Sequence, residues 1–199
     1  MKYTELQLLQ AKLYFSPEDV ADLLDTKPAS AKVLCTRYAK RGIFIRLKRN
    51  FYVFAQRWQN LARDEFLRIA NLLQVPSYIS FMSALSYYQI TTQVQRDFWE
   101  SAAVKRSIKF DIRGVSFNFY KLKKQFYFDF IKQGDIFIAT PEKALVDAVY
   151  LYSLGKYKFD ISSLDLGKLD KKKIKRILKI YPAKTKALIT KIWNTDKLG

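Results

Sequence analysis

The sequence predicts an α+β protein in two parts, residues 1–57 and residues 58–199. Three observations predict it. Apolar residues recur at helical spacing through the first 41 positions, two short β-rich runs follow at once, and a series of partly alternating strands interrupts a helical pattern in the second part. At 199 residues, 49% hydrophobic and 16% aromatic, with only six Gly and five Pro, the chain has apolar material for one large core or two small ones and no low-complexity character.

In the first part, Leu6, Leu9, Leu13 and Tyr14 suggest a helix from about Thr4 to Tyr14. Ser16-Pro17-Glu18-Asp19 then carries a hydroxyl cap, a first-turn proline and acids beside the exposed amides of a helix start. Val20, Leu23 and Leu24 give this second helix its buried stripe. A third helix is expected from about Ala29 to Arg41, with Ala31, Leu34, Cys35 and Tyr38 inward and Gly42 as its stop. The runs 43–47 and 51–54 read as two strands around Lys48-Arg49-Asn50. Three helices followed by a basic-tipped hairpin is the order of a winged helix-turn-helix.

In the second part, Ala62 to Leu73 and the pattern Ile79, Met82, Leu85, Tyr88 read as helices. Strands are expected at 101–105, 108–112, 115–121, 126–131 and 136–139, with a hairpin around Arg113-Gly114. Thr140-Pro141-Glu142 caps a helix bearing Ala144, Leu145, Ala148, Val149 and Tyr152, and one or two short helices flank Pro182. The expected result is a mixed α/β domain with a small antiparallel sheet and C-terminal helices. Asp147 interrupts the apolar helix, so it points outward or is buried against a basic partner or backbone amides; a structural role is the expectation.

Thirty-six Lys and Arg against eighteen Asp and Glu give a net charge of +18, which favours polyanionic partners. From Thr26 to Arg57 there are nine Lys or Arg and no Asp or Glu. A helix fits the major groove, where side chains read base edges and flanking cations neutralise phosphates. Ser30, Lys32, Val33 and Arg37 are therefore the candidate base-facing residues. Lys27, Lys40 and Arg41 are candidate phosphate contacts, and Arg46, Lys48, Arg49 and Asn50 would reach the backbone or minor groove from the hairpin. The lysine-rich run 171–176 is a second cationic surface, suited to nucleic acid, to an acidic protein surface or simply to solvation.

Catalytic signals are sparse. The chain has no His, one Cys and no Gly-rich phosphate loop, so a Ser-His-Asp or Cys-His arrangement and the usual zinc sites cannot be assembled. Cys35 lies on the inward face of its helix and reads as a core residue. The enzyme reading that survives is a carboxylate-metal nuclease built from Asp97, Glu100, Asp111 and Lys109. The expectation is a non-enzyme with no catalytic residues, no metal and no cofactor. The start lacks a signal-peptide core and no apolar run approaches the ~20 residues that span a bilayer, so a cytoplasmic protein without membrane partners is expected.

Two sets of residues carry a resemblance: Cys35-Thr36-Arg37-Tyr38-Ala39-Lys40-Arg41-Gly42-Ile43-Phe44 with Leu47-Lys48-Arg49-Asn50-Phe51-Tyr52, and Tyr78-Ile79-Ser80-Phe81-Met82-Ser83-Ala84-Leu85 with Ile138-Ala139-Thr140-Pro141-Glu142-Lys143-Ala144-Leu145-Val146-Asp147. In these the chain resembles the AbiEi family of antitoxins from type IV toxin-antitoxin systems. The likeness implies a winged helix that represses its own operon at inverted repeats in double-stranded DNA. It also implies a C-terminal domain that counteracts a nucleotidyltransferase-like toxin of the AbiEii type. With no zipper or obvious dimer helix visible, a monomer or weak dimer on DNA is expected, two copies matching two half-sites. The family's hairpin normally has glycine where Asn50 stands, and Asn tolerates the same left-handed conformation. The residues alone leave open a winged-helix regulator whose second domain senses a ligand or partner unrelated to a toxin.

Overall fold

The computed structural model describes residues 2–93 and 96–195, and the chain divides into two compact units, one through Phe66 and one from Leu67 onward. It is an α+β protein with a two-stranded antiparallel sheet in the first unit and a six-stranded mixed sheet in the second.

The first unit runs α1 (Lys2–Leu6), a 3-10 turn (Gln7–Ala11), α2 (Pro17–Leu23), α3 (Pro28–Lys40), β1 (Phe44–Lys48), β2 (Phe51–Phe54) and α4 (Ala55–Gln59). The first helix is therefore much shorter than the apolar spacing suggests. Tertiary pairing overrides it: Phe15 exchanges two backbone hydrogen bonds with Tyr52 of β2, at 2.8 and 2.9 Å, which requires extended chain just before α2. The Phe15 ring then sits 4.8 Å from Phe44 and 5.6 Å from Phe54. Around these rings close Leu6, Leu9, Val20, Ala31 and Cys35, all buried.

The punctuation of the helices follows local chemistry. Ser16 and Asp19 form a reciprocal capping box, Asp19 N–H donating to Ser16 Oγ at 3.2 Å and Ser16 N–H to Asp19 Oδ2 at 2.7 Å. Burial alone would raise the Asp19 carboxyl, but hydrogen bonds from Lys12 and Ser16 hold it below the usual value. At the end of α3, Gly42 takes φ +75°, Ile43 N–H reaches Tyr38 O and Gly42 N–H reaches Ala39 O, the double closure of a Schellman motif. At the hairpin tip, Asn50 has φ +63°.

Helix α5 (Arg63–Leu73) runs across the division between the units. The second unit continues with β3 (Ser77–Ile79), α6 (Phe81–Tyr87), β4 (Phe98–Ala103), β5 (Ile108–Ile112), β6 (Val115–Lys121), β7 (Phe130–Gln133), β8 (Ile136–Ala139), α7 (Pro141–Ser153), α8 (Lys171–Leu178) and α9 (Ala183–Thr195). Strand order is β5-β6-β4-β3-β8-β7, with β4·β6 and β3·β8 parallel and the other neighbours antiparallel. The sheet is thus larger than the small antiparallel one expected. The Arg113-Gly114 hairpin is present, both residues having positive φ as a two-residue turn of type I′ demands.

Two further elements of the second unit differ from the sequence reading. The spacing of Ile79 from Met82 and Leu85 suggests a helix, yet Ile79 belongs to β3, a central strand of three residues buried on both faces and so without alternation. Phe126 was expected to open a strand but closes a 3-10 turn, where its ring stacks on Tyr181 at 4.2 Å; the strand begins at Phe130.

Helix α7 is buried on nearly every side, between α6, α8 and α9, as a helix apolar all round must be. It nonetheless carries Lys143 and Asp147, one turn apart and both fully buried. They pair directly, and each is also tied to its surroundings. Asp147 accepts from Tyr78 OH (2.9 Å), Ser80 Oγ (2.9 Å) and Tyr181 OH (3.0 Å), while Lys143 Nζ donates to Tyr78 OH (2.9 Å) and Tyr181 OH (3.1 Å). Burial lowers the Lys143 ammonium against the pull of Asp147; burial and the Asp147 charge raise both phenols. Of the two arrangements the sequence allowed for Asp147, the structure has the buried one with a basic partner.

Removing one member of such a pair strands the other charge, so Asp147→Ala is expected to destabilise the second unit by roughly 3–5 kcal/mol. The double change Lys143→Met with Asp147→Leu should lose much less, both read as urea-unfolding midpoints by near-UV circular dichroism. At the hairpin tip, Asn50→Gly should leave stability within a few tenths of a kcal/mol, whereas Asn50→Val should cost about 1–2 kcal/mol because a β-branched side chain resists positive φ. Thermal unfolding of the two variants checks this.

Candidate nucleic-acid interface

Helix α3 presents its two faces differently. Ala31 and Cys35 are completely buried, with Leu34 and Tyr38 half-buried beside them; burial pushes the Cys35 thiol up to about 11, which leaves it a protonated core group rather than a nucleophile. On the other face Ser30, Lys32, Val33, Arg37, Lys40 and Arg41 are exposed, as is Lys27 just before the helix. Pro28 at the first helical position fixes where that face begins, since its missing N–H needs no partner there.

Of these, Ser30, Val33 and Arg37 lie at i, i+3 and i+7 and line one shallow depression of about 280 Å³, together with Leu24, Thr26 and Leu34. Val33 is 59% exposed, an apolar side chain set among polar ones. Lys27, Lys32, Lys40 and Arg41 are not part of this lining. The sequence places Leu24 in the buried stripe of the second helix, not at this surface, and assigns Thr26 no role there. Thr26 could have been given one, as the polar residue that follows Asp25 in the link between helices, where Asp25 turns the chain at φ +45°.

The hairpin positions Arg46, Lys48, Arg49 and Asn50 occupy β1 and its turn. Arg46 and Arg49 are exposed; Lys48 and Asn50 are half-buried. Lys48 Nζ lies 4.8 Å from the centre of the Phe51 ring, and burial lowers its pKa. The register shifts between Arg46 and Lys48, a bulge that turns the strand just before its basic tip.

Electrostatically this surface is cationic and largely uncommitted. Among the described residues no ion pair engages Lys27, Lys32, Arg37, Lys40, Arg41, Arg46 or Arg49. Arg57, the last cation of the acid-free stretch, is different, being bound to Glu65. The C-terminal run is divided too. Asp170 caps α8 through Lys172 N–H and Lys173 N–H, and Lys173 turns inward to Glu142 at 2.9 Å, leaving Lys171, Lys172, Lys175 and Arg176 exposed.

The carboxylates considered for a nuclease do not gather. Asp111 is exposed on β5 and takes hydrogen bonds from Ser116 and Lys109, which hold it below the usual carboxylate value, whereas Glu100 is buried on β4 against Tyr157. Among the described residues no group of three or more His, Cys, Asp or Glu could hold a metal ion, and no helix is long and apolar enough to cross a membrane. No protein-family model matches the chain, and neither the curated proteins nor the solved structures contain a match to it.

Proposed function

We propose that the first unit is a winged helix-turn-helix that binds double-stranded DNA, with α3 in the major groove and the β1–β2 turn against the backbone or minor groove. The observation that carries this is the exposed face of α3, where cations without acidic partners flank a small polar-apolar depression. The element order supports it, as does the Phe15–Tyr52 bridge, which adds a third extended segment beside the hairpin. In this reading Ser30, Val33 and Arg37 face bases, and Lys27, Lys40 and Arg41 contact phosphates. The likeness to AbiEi antitoxins, carried by motif residues of both parts, extends the proposal to an autorepressor whose second unit counteracts a nucleotidyltransferase-like toxin.

A second reading, a DNA-binding regulator whose second unit senses a ligand, is favoured by one feature, a cavity of about 380 Å³ in that unit.

Arg37→Ala combined with Lys40→Ala is expected to weaken binding to the promoter fragment upstream of its own gene by about 10-fold or more, and wild-type affinity should fall steeply with added salt. A gel-shift titration with unchanged affinity would overturn the assignment of α3. For the antitoxin role, co-expression with a neighbouring nucleotidyltransferase-like gene should restore growth. Continued toxicity with promoter binding intact would remove that role and leave the regulator.

A further inference from the structure

Val33 does not fit the rest of the outer face of α3. It is the one large apolar side chain of that helix that is exposed, at 59%, and its neighbours at i−3 and i+4 are Ser30 and Arg37. Neither packing nor propensity accounts for it. At that exposure it adds little to the core, and a β-branched side chain gives up rotamer freedom in a helix, so an outward position favours almost any unbranched residue over valine.

A second observation lies beside it. Leu24, just after α2, and Leu34 are half-buried residues packed against the core of the first unit, and both line the same shallow depression as Val33. The depression therefore has an apolar wall on a face that is otherwise polar and cationic. Arg37 is the only charged residue in its lining, while Ser30 and Thr26 supply hydroxyls.

The chemistry of the lining narrows what it meets. A phosphate would gather several cations, and here there is one. A base edge in the major groove combines donors and acceptors with a single kind of apolar group, the C5 methyl of thymine. Four residues rise about 6 Å along a helix, close to the separation of two base pairs at about 3.4 Å each, so Val33 and Arg37 address different pairs. We propose that Val33, backed by Leu24 and Leu34, reads the C5 methyl group of a thymine in the major groove. The inference rests on the DNA-binding reading of α3 and adds to it the chemical group that is recognised.

Deoxyuridine lacks only that methyl and keeps the hydrogen-bonding groups of thymine. Gel-shift titrations of the full chain therefore compare two forms of the promoter fragment upstream of its own gene, one with thymine and one with uracil throughout. The uracil form should bind about 3–5-fold more weakly for each copy of the protein on the DNA, the worth of one buried methyl, and thymine restored at a single position of each site should recover the loss. Val33→Ser, a change at an exposed position, should bind both forms alike, with unchanged near-UV circular dichroism showing that the fold is kept. Arg37→Ala should weaken both forms by a similar factor and preserve the preference for thymine. Equal wild-type affinity for the two forms, or a preference that survives Val33→Ser, overturns the inference and leaves the DNA-binding reading standing. Failure to bind either form removes that reading and the inference with it.

Discussion

Two opposite charges in the middle of an apolar helix set the terms for the second unit. Lys143 and Asp147 on α7 are fully buried, and taking such a pair out of water costs several kcal/mol that mutual attraction repays only with further hydrogen bonds. Their remaining hydrogen-bonding capacity is met from places far apart in the chain: Tyr78 at the centre of the sheet, Ser80 just after it, and Tyr181 in the link between α8 and α9. All of these must be in place at once, so the central strand, the buried helix and the C-terminal helices are coupled through one polar cluster. Sealed from solvent, the cluster ties these elements to one another.

An analogous coupling, made of rings, organises the first unit. Phe15 is both a backbone partner of β2 and the ring against which Phe44 and Phe54 pack. Through the capping box that begins at the next residue, the same position starts α2. Cys35 and Ala31 bring α3 onto that core and thereby turn Ser30, Val33, Arg37 and Lys40 outward. The cationic surface is thus a consequence of which face of α3 the aromatic core takes.

Much of this was legible in the residues, and the legible features share a physical origin. Ser16 with Asp19, Gly42 after α3, Thr140 before α7 and the Arg113-Gly114 turn act within a few positions of themselves, through caps and backbone conformations that only certain side chains favour. The exposure of the α3 cations was legible because a 3.6-residue period separates the two faces of a helix. What was not legible had no local signal. Three residues of β3, buried on both faces, show no alternation, and the helical spacing of Leu9, Leu13 and Tyr14 gave no warning that Tyr52 would draw Phe15 into an extended bridge.

The sequence by itself therefore determined the helix starts and stops, the hairpins, the inward face of α3 and the acid-free cationic stretch beside it, all set by short-range chemistry. Tertiary structure alone decided that the second sheet is mixed, that Asp147 is sealed against Lys143 and Tyr181, and that Glu100, Tyr120 and Tyr157 meet at one cavity. Those partners lie between 4 and 57 positions apart, and only the Lys143–Asp147 pair sits within reach of a helical period. For the rest, strand order and loop paths decide which residues meet, and neither is written in the spacing of any one segment.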